Sequence, residues 1–140
     1  MGAAGRVGQD MTVDLTDAQR RLLDLPIYAT LGTIRPDDTV QVNPMWFAFD
    51  GEHLKFTHIR SRAKFRNLQR NPSMAVCLLD PENPFSYLEV RGKLVAVDPD
   101  PTGAFYVELQ NRYGNPSTTP PPDAAERVVL RMSADKLLGQ

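Results

Sequence analysis

From His53 through Leu79 the chain carries no aspartate and no glutamate. Over the whole chain acids and bases nearly balance, 17 against 16, so one stretch has been cleared of negative charge. Cysteine is almost absent as well. The single Cys77 excludes an internal disulfide and fits a reducing compartment. Its neighbours Val76, Leu78 and Leu79 predict a buried structural thiol. With only two histidines, His53 and His58, no spaced ligand cluster exists and no metal site is expected. No apolar run reaches the length of a membrane span. The N-terminus lacks the charged-then-apolar pattern of a secretion signal, and Arg6 stands where a myristoylation signal wants Ser or Thr. Excess charge is lacking too: a net charge of -1 argues against a general nucleic-acid binder. The expectation is a soluble cytoplasmic protein with neither membrane nor nucleic acid as partner.

What is present fits one domain. At 140 residues the chain is long enough to bury its own core. Residues 1–10 read as a loose tail and 11–140 as the domain. Thr16 and Gln19 form a capping-box pattern, predicting a short helix over Asp17–Asp24 that Pro26 stops. Branched and aromatic residues then predict strands at Ile27–Arg35, Val40–Phe49, His53–His58, Ser73–Leu79, Ser86–Val97 and Arg127–Met132. The second strand should be interrupted at Asn43-Pro44, which marks an edge or a bulge. Asp50-Gly51 predicts a hairpin turn, and Gly92 a bulge or bend. Phe105, Leu109 and Tyr113 share helical spacing within Pro101–Tyr113. A proline-rich loop covers Gly114–Ala125, and a short turn of helix is expected after Ser133. The fold class is therefore mainly β with a few short helices. Six antiparallel strands that close on themselves remove their exposed edges.

The acid-free stretch also concentrates base. Arg60, Arg62, Lys64, Arg66 and Arg70 fall within eleven residues. Ser61 is a good N-cap, which places Arg62, Ala63 and Lys64 in a first helical turn. Cations there oppose the helix dipole and cost roughly 0.3–1 kcal/mol each when exposed. The arrangement makes sense if an anion sits at the helix start, held by N–H groups, Ser61, Arg62 and Lys64. The plainer reading is a solvated basic face, and Arg66 and Arg70, late in the helix, suit it.

The order "ATLGTI", "VQVNPMWFAFDGEHLKFTH", "SRAKFRNLQRNP" and the closing "ERVVLRMSADKLLG" resembles the pyridoxamine 5'-phosphate oxidase-like family of split β-barrels. The resemblance runs from about Ala18 to Gly139, and is strongest to the branch using FMN or the deazaflavin coenzyme F-420. It implies a six-stranded split barrel that forms a homodimer, with cofactor sites lined by both chains. Arg62 and Lys64 would take the cofactor phosphate, beside Thr57, His58 and Ser61. The segment Val42, Asn43, Pro44, Met45 and Trp46 would run along the ring system. Phe85 and Tyr87 correspond to aromatic positions that reach the cofactor from the partner chain, and Arg127 to a contact with the cofactor tail. "SRAK" departs from the "SRK" run of pyridoxine-phosphate oxidases, and their C-terminal basic substrate residues are not found here.

Three functions follow from the resemblance. The first is an F-420-dependent reductase passing hydride to an unsaturated small molecule. The second is an FMN-dependent oxidoreductase, and the third a non-catalytic flavin- or heme-binding protein. The cofactor carries this chemistry, so no catalytic side chain is named. An acidic F-420 tail would ask for a longer basic groove, which Lys55, Arg60, Arg66 and Arg70 would extend. Of Trp46 and Phe47, alternation sends one to the core and leaves the other for the ring or a partner chain. His53 is expected to face solvent, and the Gly114–Ala125 loop to shape the space above the ring.

Overall fold

The computed structural model describes residues 13–139, so the expected tail lies outside the described residues. The order is α1 (Asp17–Asp24), β1 (Ala29–Ile34), β2 (Val40–Met45), β3 (Ala48–Phe49), β4 (His53–Ile59), α2 (Ala63–Arg70), β5 (Ser73–Leu79), β6 (Tyr87–Pro99), α3 (Ala104–Arg112), β7 (Arg127–Ser133) and β8 (Lys136–Gly139). A 3-10 turn, Ala124–Glu126, leads into β7. The strands are antiparallel in the order β2-β1-β5-β6-β7-β4-β3, with β8 on β6. The 13-residue β6 belongs to both halves of the barrel. Its first half, Tyr87 to Lys93, pairs with β5, and Leu94 to Pro99 pairs with β7. This is the expected split barrel, with eight described strands in place of six.

The two additional strands have separate causes. The second expected strand breaks after Met45, at Trp46-Phe47, and not at Asn43-Pro44. Pro44 sits inside β2 opposite Thr30. It is tolerated because β2 ends the sheet and no outer neighbour needs its missing N–H. After Ser133 the chain forms no helical turn. Lys136–Gly139 instead occupies the edge of β6 beside Leu88 to Arg91 that β7 leaves free. The bulge of β6 lies between Leu94 and Ala96 rather than at Gly92. Gly92 answers a closer approach, because a Cβ there would stand 1.8 Å from the Ser133 carbonyl oxygen.

Alternation sorts the side chains. Leu31, Phe47, Leu54, Phe56, Leu78, Leu88 and Leu130 are fully buried. Each contributes about 1.5–3 kcal/mol by leaving water. Leu22 and Leu23 of α1 close one end of this core, beneath the capping box that forms as expected. Phe65 and Leu68 anchor α2 on it. A second cluster, Ala48, Phe105, Leu109 and Val129, holds α3 against the opposite face of the second half-sheet. Cys77 is exposed, against expectation, because Met74, Val76 and Leu78 take the inward positions of β5. His53 is half-buried beside Glu52, at 3.6 Å, rather than solvent-facing. Among the described residues no helix is long and apolar enough to cross a membrane.

Candidate functional site

The break after β2, the end of β4 and the start of α2 enclose a cavity of about 460 Å³. Strand alternation brings Gln41, Asn43 and Met45 of β2 to its wall, Pro44 lies between them on the same strand, and the break adds Trp46. Thr57, His58 and Ile59 come from β4, Arg62, Ala63 and Lys64 from the α2 start, Tyr28 from before β1 and Arg127 from β7. Among the described residues no acid lines it.

Its electrostatics are unusual at Lys64. The side chain is buried, at 4% exposure, in the first turn of α2. Among the described residues its ammonium has one hydrogen-bond partner, Met45 Sδ at 3.1 Å. A thioether is a weak acceptor, so the charge is poorly compensated. Burial, then the Arg62 charge, holds the Lys64 pKa down at about 8. His58 is 9% exposed and its Nε2 is buried with no hydrogen-bond partner among the described residues. Burial first, then Lys64, Arg62 and Arg127, lower its pKa to about 4, so it is neutral at pH 7. Asn43 Oδ1 is a further buried acceptor without a partner among the described residues, while its Nδ2 reaches Met45 Sδ at 3.7 Å. Arg127 is better satisfied. It pairs with Asp123 at 2.9 Å, donates to Thr57 Oγ1 at 3.4 Å and lies over the Tyr106 ring.

The expected helix cap is corrected. Ser61 is not the N-cap, since β4 runs on to Ile59 and a turn closed by Arg62 N–H on Ile59 O follows. Arg62 takes that place, with no side-chain cap bond, and Ser61 is exposed and outside the cavity lining. Its carbonyl accepts from Arg66 Nη1 at 2.7 Å. Of the other residues singled out in the sequence, Asn43, Pro44, Met45, Trp46, Thr57, His58, Arg62, Lys64 and Arg127 meet at the cavity. Val42 does not: it is 58% exposed, on the other face of β2. Phe85, 78% exposed, and Tyr87 also lie away from the cavity. The Gly114–Ala125 loop lines none of it, touching the site only through Asp123 and Arg127.

Lys55 and Arg60 do not extend the basic patch. They lie over the Phe105 and Phe65 rings. The extension is a neighbouring groove lined by Arg35, Arg66 and Arg70, which shares Gln41 and Ala63 with the cavity. Sequence reasoning missed Arg35, Tyr28 and Gln41. The last two were readable by alternation, Tyr28 from buried Ala29 and Leu31 and Gln41 from Asn43. Trp46 lines the cavity while stacking on Tyr113, with ring centroids 5.2 Å apart, and Phe47 goes to the core.

Among the described residues, the sheet break and helix start of a split barrel thus border a cation-lined cavity without carboxylates, an arrangement whose chemistry suits an anionic ligand beside aromatic side chains. Residues 15–140 match the model of the pyridoxamine 5'-phosphate oxidase family, and the chain belongs to that family. It is similar to a solved F420 reductase, with 48% identity and a TM-score of 0.86, over 90% of this chain and 100% of that one. A conserved hypothetical protein of Mycobacterium tuberculosis shares the fold at 23% identity and a TM-score of 0.68, over 94% and 87% of the two chains. General Stress Protein 26 of Bacillus anthracis does so at 19% identity and a TM-score of 0.68, over 88% and 91%. No curated protein matches the sequence.

Proposed function

We propose that this protein is a coenzyme F-420-dependent reductase that transfers hydride from the reduced deazaflavin to an unsaturated small molecule. The observation that carries the reading is Lys64, a buried ammonium with no carboxylate paired to it among the described residues. A phosphate among Lys64, Arg62 and the α2 N–H groups would compensate that charge. His58 Nε2, if it bears the proton, would donate to the same anion. The unpaired Asn43 Oδ1 and the backbone of the β2 break would face the ring's polar edge, with Trp46 and Tyr28 along its apolar side. Reduced F-420, when bound, supplies the hydride, and the protein's part is to hold, orient and shield.

Two observations favour F-420 over FMN. The groove of Arg35, Arg66 and Arg70 continues from the phosphate corner and suits a longer acidic tail. The similar solved structure at 48% identity is that of an F420 reductase. FMN remains the second reading, because the phosphate corner suits its phosphate equally. For heme, a ligand histidine aimed into an open apolar pocket is wanted, whereas His58 sits among cations. We further propose a homodimer formed through the outer face of β2, β1, β5 and β6. Val40, Val42, Leu79 and Tyr87 are exposed apolar side chains there. In such a dimer Phe85 and Tyr87 would approach the partner's site.

Fluorescence titration of the purified protein with F-420 and with FMN tests the reading. Tight F-420 binding with weak FMN binding is expected. The reverse order would assign the protein to FMN, and no binding of either would end the enzyme reading.

A further inference from the structure

The aromatic part of the cavity wall is set from a distant helix. Where β2 breaks, the N–H and C=O of Phe47 leave the sheet ladder, and buried backbone groups without partners are costly. Two side chains at the end of α3 satisfy them. Phe47 N–H donates to Tyr113 Oη at 3.0 Å, and Arg112 Nε donates to the Phe47 carbonyl at 2.9 Å. The same pair reaches the segment before β1. Tyr113 Oη donates to the Ile27 carbonyl at 2.7 Å, and Arg112 Nη2 to the Leu25 carbonyl at 2.8 Å. Each clasped segment carries one aromatic residue of the cavity, Trp46 after β2 and Tyr28 before β1. The Tyr113 ring lies against both. It stacks on Trp46 with 16° between planes, and its centroid is 6.0 Å from that of Tyr28. Tyr28 is 61% exposed. Burial keeps the Tyr113 phenol protonated, so it remains a donor.

We propose that Tyr113 is a positioning residue: its hydroxyl bridge and ring hold Trp46 and Tyr28 as the wall that recognises a planar ring system. Ring recognition is thereby set from α3, while anion recognition is set from α2. The two are separable because Tyr113 contacts none of Arg62, Lys64 or His58 through the bonds that fix it. This inference rests on the cofactor reading, and deepens it by dividing the site.

Trp46 is the only tryptophan in the chain, so its emission reports the wall directly. The experiment compares the wild type with Tyr113→Phe, which keeps the ring, and Tyr113→Leu, which loses ring and hydroxyl. Three quantities are read: acrylamide quenching of Trp46, affinity for F-420 and FMN, and the ability of inorganic pyrophosphate to compete. Expected for Tyr113→Phe is stronger quenching and ring-cofactor affinity lowered about three- to tenfold, the range for a lost hydrogen bond. Tyr113→Leu should lose more, with pyrophosphate competition within twofold of wild type in both. Equal losses for cofactor and pyrophosphate would make Tyr113 merely structural and overturn the inference. Unchanged cofactor affinity would overturn it as well, and leave the cofactor reading standing. A wild type that binds pyrophosphate but neither cofactor would bring down both.

Discussion

On the proposed function, Lys64 holds the ligand at the expense of stability. At neutral pH it is charged in the folded and unfolded chain alike, but in the folded chain it is buried without a carboxylate. Lys64→Met should stabilise the ligand-free protein by roughly 1–3 kcal/mol. It should also weaken cofactor binding by about 1.5–3 kcal/mol, the worth of a charge-assisted hydrogen bond. Urea unfolding and a cofactor titration on one preparation check both signs. His58 adds a pH dependence. Its folded pKa of about 4 lies below its ordinary 6.5, so the unfolded chain binds the proton more readily. Its contribution is full above pH 6.5 and is lost as pH falls through about 4, up to about 3 kcal/mol in all. His58→Gln should flatten that slope between pH 6.5 and 4, read from urea midpoints across the range. Lys64 and His58 were both legible as residues that would meet at one cavity, because an acid-free stretch ending a strand is visible in one dimension. That they are buried was not, since burial depends on β2 and β7 folding over them.

Elements were legible where their signals are local. The capping box of α1, the hairpin at Asp50-Gly51 and the bounds of β5 needed nothing beyond their own residues. Those set by distant partners were misread. Ser61 has the chemistry of a cap, but the pairing of Ile59 with Arg127 draws β4 onward and moves the helix start by one residue. Lys136–Gly139 becomes a strand because β6 offers an edge, and nothing within "KLLG" announces it. Gly92 was noticed for the wrong reason. Its freedom from a side chain lets the Ser133 backbone cross against it, joining β7 to β8. Gly92→Ala should therefore cost roughly 1–3 kcal/mol or more, the cost of overpacking against backbone that cannot yield. A lowered urea midpoint with an unchanged slope would show it.

At the scale of the whole molecule, the misreading of Cys77 carries information. The run "SMAVCLL" hides its alternation because the outward positions are nearly as apolar as the inward ones. Ala75, Cys77 and Leu79 face out while Met74, Val76 and Leu78 face in. An apolar outer face is what a sheet covered by a second copy would show. Leu79→Glu should halve the mass found by light scattering at micromolar concentration if that face joins two copies. A wild type that is already monomeric would dismiss the dimer. The single 13-residue β6 has a different consequence. Because it is a rung of both half-sheets, opening either half removes support from a strand that the other half shares. Amide hydrogens of β5 and β7, on opposite sides of that strand, should therefore exchange with solvent at the same slow, global rate, as one cooperative unit.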